Sequence, residues 1–209
     1  QRDFDLASSV GVDYLFVPSV EEMYPDGFST KIIVTKFTDK FEGLKRIGHF
    51  DGVATVVAKI FNVTKPNVAI FGQKDFQQIL VVRQLVKDLL FDIEIVIAPT
   101  VRENDGLAMS SRNIYLSKEE REVASQIYQA LLKGVEAINK HITNRKVISS
   151  IVQEHLAKFP QFVVDYVAVV NSENLSEPEE FKSGENVVIL VAVFLGNTRL
   201  IDNLVATIP

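Results

Sequence analysis

Residues 71–78 read Phe-Gly-Gln-Lys-Asp-Phe-Gln-Gln, between the apolar run at 66–70 and the amphipathic stretch at 79–90. A glycine there lets backbone approach a ligand and tolerates positive φ. Lys74 adds a mobile cation, Asp75 can accept from sugar hydroxyls, and Gln77 and Gln78 can each donate and accept toward a polar substrate. The alternative is a solvated helix start with Asp75 as its N-cap. A second group, Asp-Gly-Leu-Ala-Met-Ser-Ser-Arg-Asn at 105–113, sets two hydroxyls beside a guanidinium. Ser110, Ser111 and Arg112 can grip phosphate oxygens, Arg112 by its fork; the alternative is a polar loop. The third group is the glycine-punctuated stretch at 41–57, where Arg46 and His49 precede a helical pattern. They suit an anion and a proton-handling role, against helix packing or capping for His49. His141 and His155 lie on helical patterns among polar neighbours and read as surface groups. With 3 histidines so separated and 0 cysteines, no zinc site is proposed.

These groups need elements to hold them. Residues 2–10 read as a helix tail, 13–19 as a short buried strand stopped by Pro18, and 30–36 as a second strand. Apolar positions 53, 56, 57, 60 and 61 have helical spacing, closed by Pro66. A strand at 67–71, a helix at 76–90 and a strand at 92–100 complete a βαβ pattern, the mark of a parallel sheet covered by helices. The first chemical group therefore falls at the carboxyl end of a parallel strand and the start of a helix, where open α/β sheets bind ligands and where helix N–H groups suit phosphate. Beyond Thr100 and Val101 the pattern changes. Helices at 118–140 and 143–158 precede strands near 162–170, 187–195 and 199–203, an α+β arrangement that places a domain boundary at 100/101.

Composition narrows the classes. The chain has 209 residues, 47% of them hydrophobic, enough for a real core. The net charge of −5 offers no basic face for nucleic acid. The longest apolar run, 187–195, is far short of the roughly 20 residues that span a bilayer. The opening residues carry acidic groups where a secretory leader would be basic and then apolar. The absence of cysteine fits a cytoplasmic setting.

The three groups, in this order and spacing, resemble the pantothenate synthetase family. The stretch Glu42–Gln78 resembles its long signature through the G-x-K-D-x-Q-Q loop, and 105–113 resembles its counterpart of the K-M-S-K-S loop of class I aminoacyl-tRNA synthetases. Weaker likeness runs from 12–27 to 195–203, so the resemblance covers essentially the whole chain. The family usually has proline where this chain has Ile47. Its opening nucleotide-binding strand and P-T-M-G-x-L-H-x-G-H segment have no counterpart in these residues.

The resemblance implies a Rossmann-like nucleotidyltransferase fold, with 1–100 as the remainder of the ATP- and pantoate-binding domain and 101–209 as a smaller α+β lid. It implies ATP-dependent joining of pantoate to β-alanine through pantoyl adenylate, with Mg²⁺ on the phosphates, in a cytoplasmic homodimer without nucleic-acid or membrane partners. Gly72, Gln73 and Asp75 would bind ATP, Gly72 and Asp75 at the ribose; Lys74 would meet the α-phosphate, Gln78 pantoate and the Val101 backbone adenine. Met109, Ser110, Ser111 and Arg112 would close on the phosphates, with Arg46 and His49 as further site residues. The alternatives are another nucleotidyltransferase of this fold, which has no reason to keep the glutamine pair, and a non-catalytic nucleotide-binding module. The 209-residue chain alone is expected to be inactive, because the H-x-G-H histidines would face the ATP phosphates.

Overall fold

Residues 187–195 determine the architecture. They form the middle of β4 (Asn186–Leu195), which pairs antiparallel with β3 (Phe162–Asn171) on one side and β5 (Thr198–Thr207) on the other. Alternate side chains of a strand point to opposite faces. Val187, Ile189, Val191, Val193 and Leu195 therefore enter one core with Ile127, Leu131, Ile148 and Val152. Val188 and Leu190 enter another with Phe50, Ala54, Phe76 and Val81. An unbroken apolar run results because both faces of the strand are covered. The computed structural model describes residues 1–209, the Arg2 side chain excepted.

The first core is closed by α6 (Lys118–Ala124), α7 (Gln126–Asn139) and α8 (Arg145–Leu156). Ser117 and Glu120 form a capping box at the start of α6, and Asn144 caps α8. The single helix expected over 118–140 is interrupted at Ser125, the residue between α6 and α7.

The second core is built on α4 (His49–Thr64) and α5 (Phe76–Asp88). The α4 helix starts after Gly48 at φ 75° and ends at Lys65, left-handed at φ 44°, immediately before Pro66. Between the helices runs β1 (Val68–Gly72), whose neighbour is β2 (Glu94–Ala98) in parallel register, Val68 opposite Glu94 and Gly72 opposite Ala98. The expected βαβ unit is present, and its handover from strand to helix is the short 310 turn Gln73–Asp75.

Before α4, α1 (Arg2–Ser9) matches the expected helix tail, and the short α2 (Val20–Met23) and α3 (Glu42–Lys45) punctuate extended chain. Two expected strands are corrected here. Residues 13–19 form no ladder, and their side chains face outward, Tyr14 at 93% exposure. Residues 30–36 form no ladder either, and Lys36 lies in a turn; their anchors are side chains. The Ile32 N–H donates to the Thr55 hydroxyl on α4 at 3.0 Å, and Val34 is buried in the second core. An apolar run identifies a segment that can pair as a strand; a strand additionally requires a backbone partner, and among the described residues neither segment has one.

Ile189 and Leu190 point into different cores from adjacent positions. Each truncation to alanine should cost about 2–4 kcal/mol, the range for buried aliphatic side chains. Because one sheet serves both cores, both variants should unfold in a single transition, followed by circular dichroism during denaturation. Separation into two transitions would show that the cores are independent.

Candidate active site

The turn after β1 places Lys74, Asp75 and Gln78 along a cleft whose other walls carry Arg46, His49, Tyr166 and Asn203. The cleft is narrow, with a cavity volume of about 30 Å³. Arg46 also lines a wider cleft of about 760 Å³, together with Lys45, Arg112, Asp165 and Arg199. Lys74 and Ser110 share a third, smaller cavity. The three groups singled out in the sequence therefore converge on one region, although Lys74 and Arg112 are separated by a β-strand, a helix and a loop in the chain.

Individual roles separate once the hydrogen bonds are traced. The two glutamines of the motif are not equivalent. Gln77 is buried, and its amide is consumed by the chain before α3: Nε2 donates to the carbonyls of Phe37 (2.5 Å) and Lys40 (2.9 Å), and Oε1 accepts the Glu42 N–H (3.0 Å). Gln77 thus fixes the approach to Arg46, while Gln78 lies on the cleft. Asp75 occupies the N-cap position of α5 without a side-chain capping bond, so the capping alternative does not describe it.

His49 does not cap α4 either, since Gly48 holds that position. The Arg46 guanidinium donates to His49 Nε2 at 2.8 Å. That geometry requires a neutral ring with its proton on Nδ1. Burial and the nearby Arg46 charge lower the imidazole's pKa in the same sense. Ile47, at the position where the family usually has proline, is 96% exposed and has no packing role.

The 101–113 segment is a tight hairpin, bridged between Arg102 and Ala108. The Met109 N–H donates to the Val101 carbonyl at 2.9 Å. Asn113 Nδ2 donates to Glu103 Oε1 (2.9 Å) and the Ala108 carbonyl (3.2 Å), and Arg121 holds both Glu103 and Asp105 at 2.6 Å. The Ser110 hydroxyl accepts the Arg112 N–H at 3.2 Å, capping the 310 turn Ser111–Tyr115. Met109, Ser111 and Arg112 remain on the exposed side.

Sequence reasoning missed the network that supports the site from behind. Arg199 on β5 donates from Nη1 and Nη2 to both Glu42 carboxylate oxygens at 2.9 and 2.7 Å. It also donates to Asp165 on β3 from Nε at 3.1 Å and Nη2 at 3.0 Å. The Tyr166 hydroxyl donates to Glu42 Oε1 at 3.0 Å, and Lys45 pairs with Asp165 at 2.5 Å. Burial alone would raise the Glu42 and Asp165 pKa values, but the hydrogen bonds and charges of Arg199 and Lys45 outweigh it and leave both carboxyls below their ordinary values. Burial and the Glu42 charge push the Tyr166 phenol upward. The available signals were the family likeness at 195–203, which includes Arg199, and charged residues on strands, and neither links Arg199 to Glu42 or Asp165.

The mixed architecture, a parallel sheet at the carboxyl end of which the cleft opens and a small antiparallel sheet beside it, is that of Rossmann-like nucleotidyltransferases with a C-terminal domain. A family model described as pantoate-beta-alanine ligase matches residues 1–205. The chain belongs to the pantoate-beta-alanine ligase family. A curated relative from Caldicellulosiruptor bescii named pantothenate synthetase is 49% identical over 205 residues, covering 98% of this chain and 72% of the relative. Its namesake from Caldicellulosiruptor saccharolyticus is 50% identical, covering 100% and 73%. The crystal structure of pantothenate synthetase from Thermus thermophilus superposes with a TM-score of 0.91 at 46% identity, covering 97% of this chain and 73% of that one. That of the ligase from Francisella tularensis, complexed with beta-gamma ATP and beta-alanine, does so with 0.73 at 31% identity, covering 97% and 68%.

Arg199→Ala leaves the largely buried Glu42 without its paired cation and Asp165 with Lys45 alone, a change that costs on the order of 3 kcal/mol. Depressed carboxyl pKa values contribute stability that is fully present above the ordinary range near 4 and lost as pH falls through the lower folded-state values. The gap between parent and Arg199→Ala should therefore be widest near neutrality and shrink below about pH 4. Chemical denaturation at pH 7 and pH 3 measures it; a gap independent of pH would contradict the ion-pair account.

Proposed function

We propose that the protein of which this chain forms the described part catalyses the ATP-dependent condensation of pantoate with β-alanine. The observation that carries this reading is the convergence of Arg46 and His49, Lys74, Asp75 and Gln78, and Ser110 to Arg112 around clefts that share Arg46 and Lys74. The family to which the chain belongs supports it.

A carboxylate does not react with an amine at neutral pH, so activation comes first. A pantoate carboxylate oxygen attacks the α-phosphorus of ATP, forming pantoyl adenylate as the bond to pyrophosphate breaks. The β-alanine amine then attacks the acyl carbon, AMP leaves, and the amine gives up a proton. Such a path relies on neutralising phosphate charge and holding reactants in line. In this reading Lys74 meets the α-phosphate, while Gly72, Gln73 and Asp75 line the ribose side and Gln78 holds pantoate. The Val101 N–H meets adenine, its own carbonyl being engaged by Met109. Met109, Ser110, Ser111 and Arg112 close over the phosphates, and Arg46 offers a cation to a substrate carboxylate beside the neutral His49.

Mg²⁺ would enter as the counter-ion of the nucleotide, where it neutralises phosphate charge. Among the described residues no group of three or more His, Asp or Glu could hold it by itself, and Mg²⁺ ordinarily binds through substrate phosphates with few protein ligands. We further read 1–100 as the binding domain and 101–209 as a cover that excludes water from the adenylate. The reading includes a homodimer in the cytoplasm, a setting with which the absence of cysteine is consistent. Among the described residues no helix is long and apolar enough to cross a membrane.

In the intact protein, Lys74→Ala should lower pantoate-dependent ATP–pyrophosphate exchange about a hundredfold, the effect of losing one preorganised donor to developing phosphate charge. Exchange within threefold of the parent would remove Lys74 from the phosphate site. Gln78→Ala should raise the KM for pantoate by roughly tenfold, the loss of one polar substrate contact, with the KM for ATP nearly unchanged. Equal increases for both substrates would mean that Gln78 acts through the fold.

A further inference from the structure

The turn that carries Lys74 is held by a residue from the far end of the chain. Asn203 on β5 is 1% exposed. Its Nδ2 donates to the carbonyls of Gln73 and Lys74, each at 3.0 Å, and its Oδ1 accepts from Gln73 Nε2 at 3.2 Å. Two carbonyl oxygens can only accept, so the orientation of the amide is fixed by chemistry. Both Nδ2 protons are thereby used on the backbone of the turn.

Asn203 is itself restrained. Its backbone N–H donates to Asp202 Oδ1 at 2.8 Å. The Asp202 carboxylate is gripped by Arg102 at 2.6 and 3.0 Å, and the Arg102 guanidinium lies 3.9 Å from the Tyr128 ring centroid on α7. A chain of contacts thus runs from Tyr128 on α7 through Arg102, Asp202 and Asn203 to the peptide groups of Gln73 and Lys74. The Lys74 side chain leaves from the backbone that Asn203 clamps.

We infer that Asn203 is a positioning residue for adenylate formation: it fixes the Gln73–Lys74 peptides so that the Lys74 ammonium faces the reacting phosphate. The inference rests on the phosphate role of Lys74 proposed above. A group displaced by about 1 Å from its productive position costs on the order of a hundredfold in rate. Losing the clamp therefore lowers kcat, while the rest of the nucleotide site preserves binding.

The test uses Asn203→Asp, which keeps the shape and turns two donors into acceptors facing carbonyl oxygens, and Asn203→Ala, which deletes the amide. Asn203→Ser, small and still able to donate once, replaces the alanine variant if that one does not fold. In the intact protein each should lose about tenfold or more in kcat for pantoate-dependent ATP–pyrophosphate exchange, with the KM for ATP within about threefold of the parent. Built into Lys74→Ala, the same substitutions should lower the residual exchange by less than about threefold, because two residues acting through one contact are non-additive. Parental kcat in both Asn203 variants, or losses that multiply in the Lys74→Ala background, would overturn the positioning role and leave Lys74 in place. Undiminished exchange in Lys74→Ala itself would overturn the phosphate role and this inference together.

Discussion

One strand with two apolar faces holds this molecule together. β4 is buried on both sides because each face meets a different helical layer, α7 and α8 on one and α4 and α5 on the other. Burial of one aliphatic side chain is worth roughly 1.5–3 kcal/mol, so the strand ties both layers into one cooperative body. The clefts lie where its sheet meets the β1 turn, with Leu190 and Val191 among the lining residues. The candidate site accordingly lies at a seam between layers, and both sides of the seam contribute side chains.

Charge does at the seam what packing does in the cores. Glu42 and Asp165 are withdrawn from water but lie within hydrogen-bond reach of Arg199, which satisfies two carboxylates from a single fork. Glu42 in turn closes the loop that Gln77 pins from the other side. The loop bearing Arg46 and His49 is therefore restrained by a buried amide and a buried ion pair. The surface pairs elsewhere, such as Lys140 with Glu136 on α7, are solvent-screened and contribute far less.

Much of this was legible in the residues. The βαβ unit was marked by β1, α5 and β2, whose periodicities and glycine breaks agree with their final form, and the turn after β1 was legible as the place where strand hands over to helix beside a cleft. The groups at 46–49, 74–78 and 110–112 were recognisable by type. Segments whose state depends on distant partners were not. Residues 13–19 and 30–36 have strand-like composition, but a strand needs a neighbouring backbone, and Ile32 finds a threonine hydroxyl instead. The function of Gln77 was hidden because a glutamine that binds carbonyls and one that binds a ligand look identical in a sequence. Arg199, Asp202 and Asn203 fall in the 195–203 stretch of family likeness and Arg102 in none, but residue type alone gave none of them a role; their significance lies in contacts made across 100 positions or more.

That separation has a temporal consequence. The bond between Arg199 and Glu42 spans 157 residues, and the one between Asn203 and Lys74 spans 129. Long-range contacts form late, because the intervening chain must first be brought together. Synthesis runs from the N-terminus, so the β1–α5 unit with its lysine turn emerges and can collapse well before β5 exists. Until β5 pairs with β4, the turn lacks its clamp and Glu42 lacks its cation. The geometry of the cleft is then among the last features to be completed, and a nascent chain that already has most of its secondary structure is still without the finished cleft.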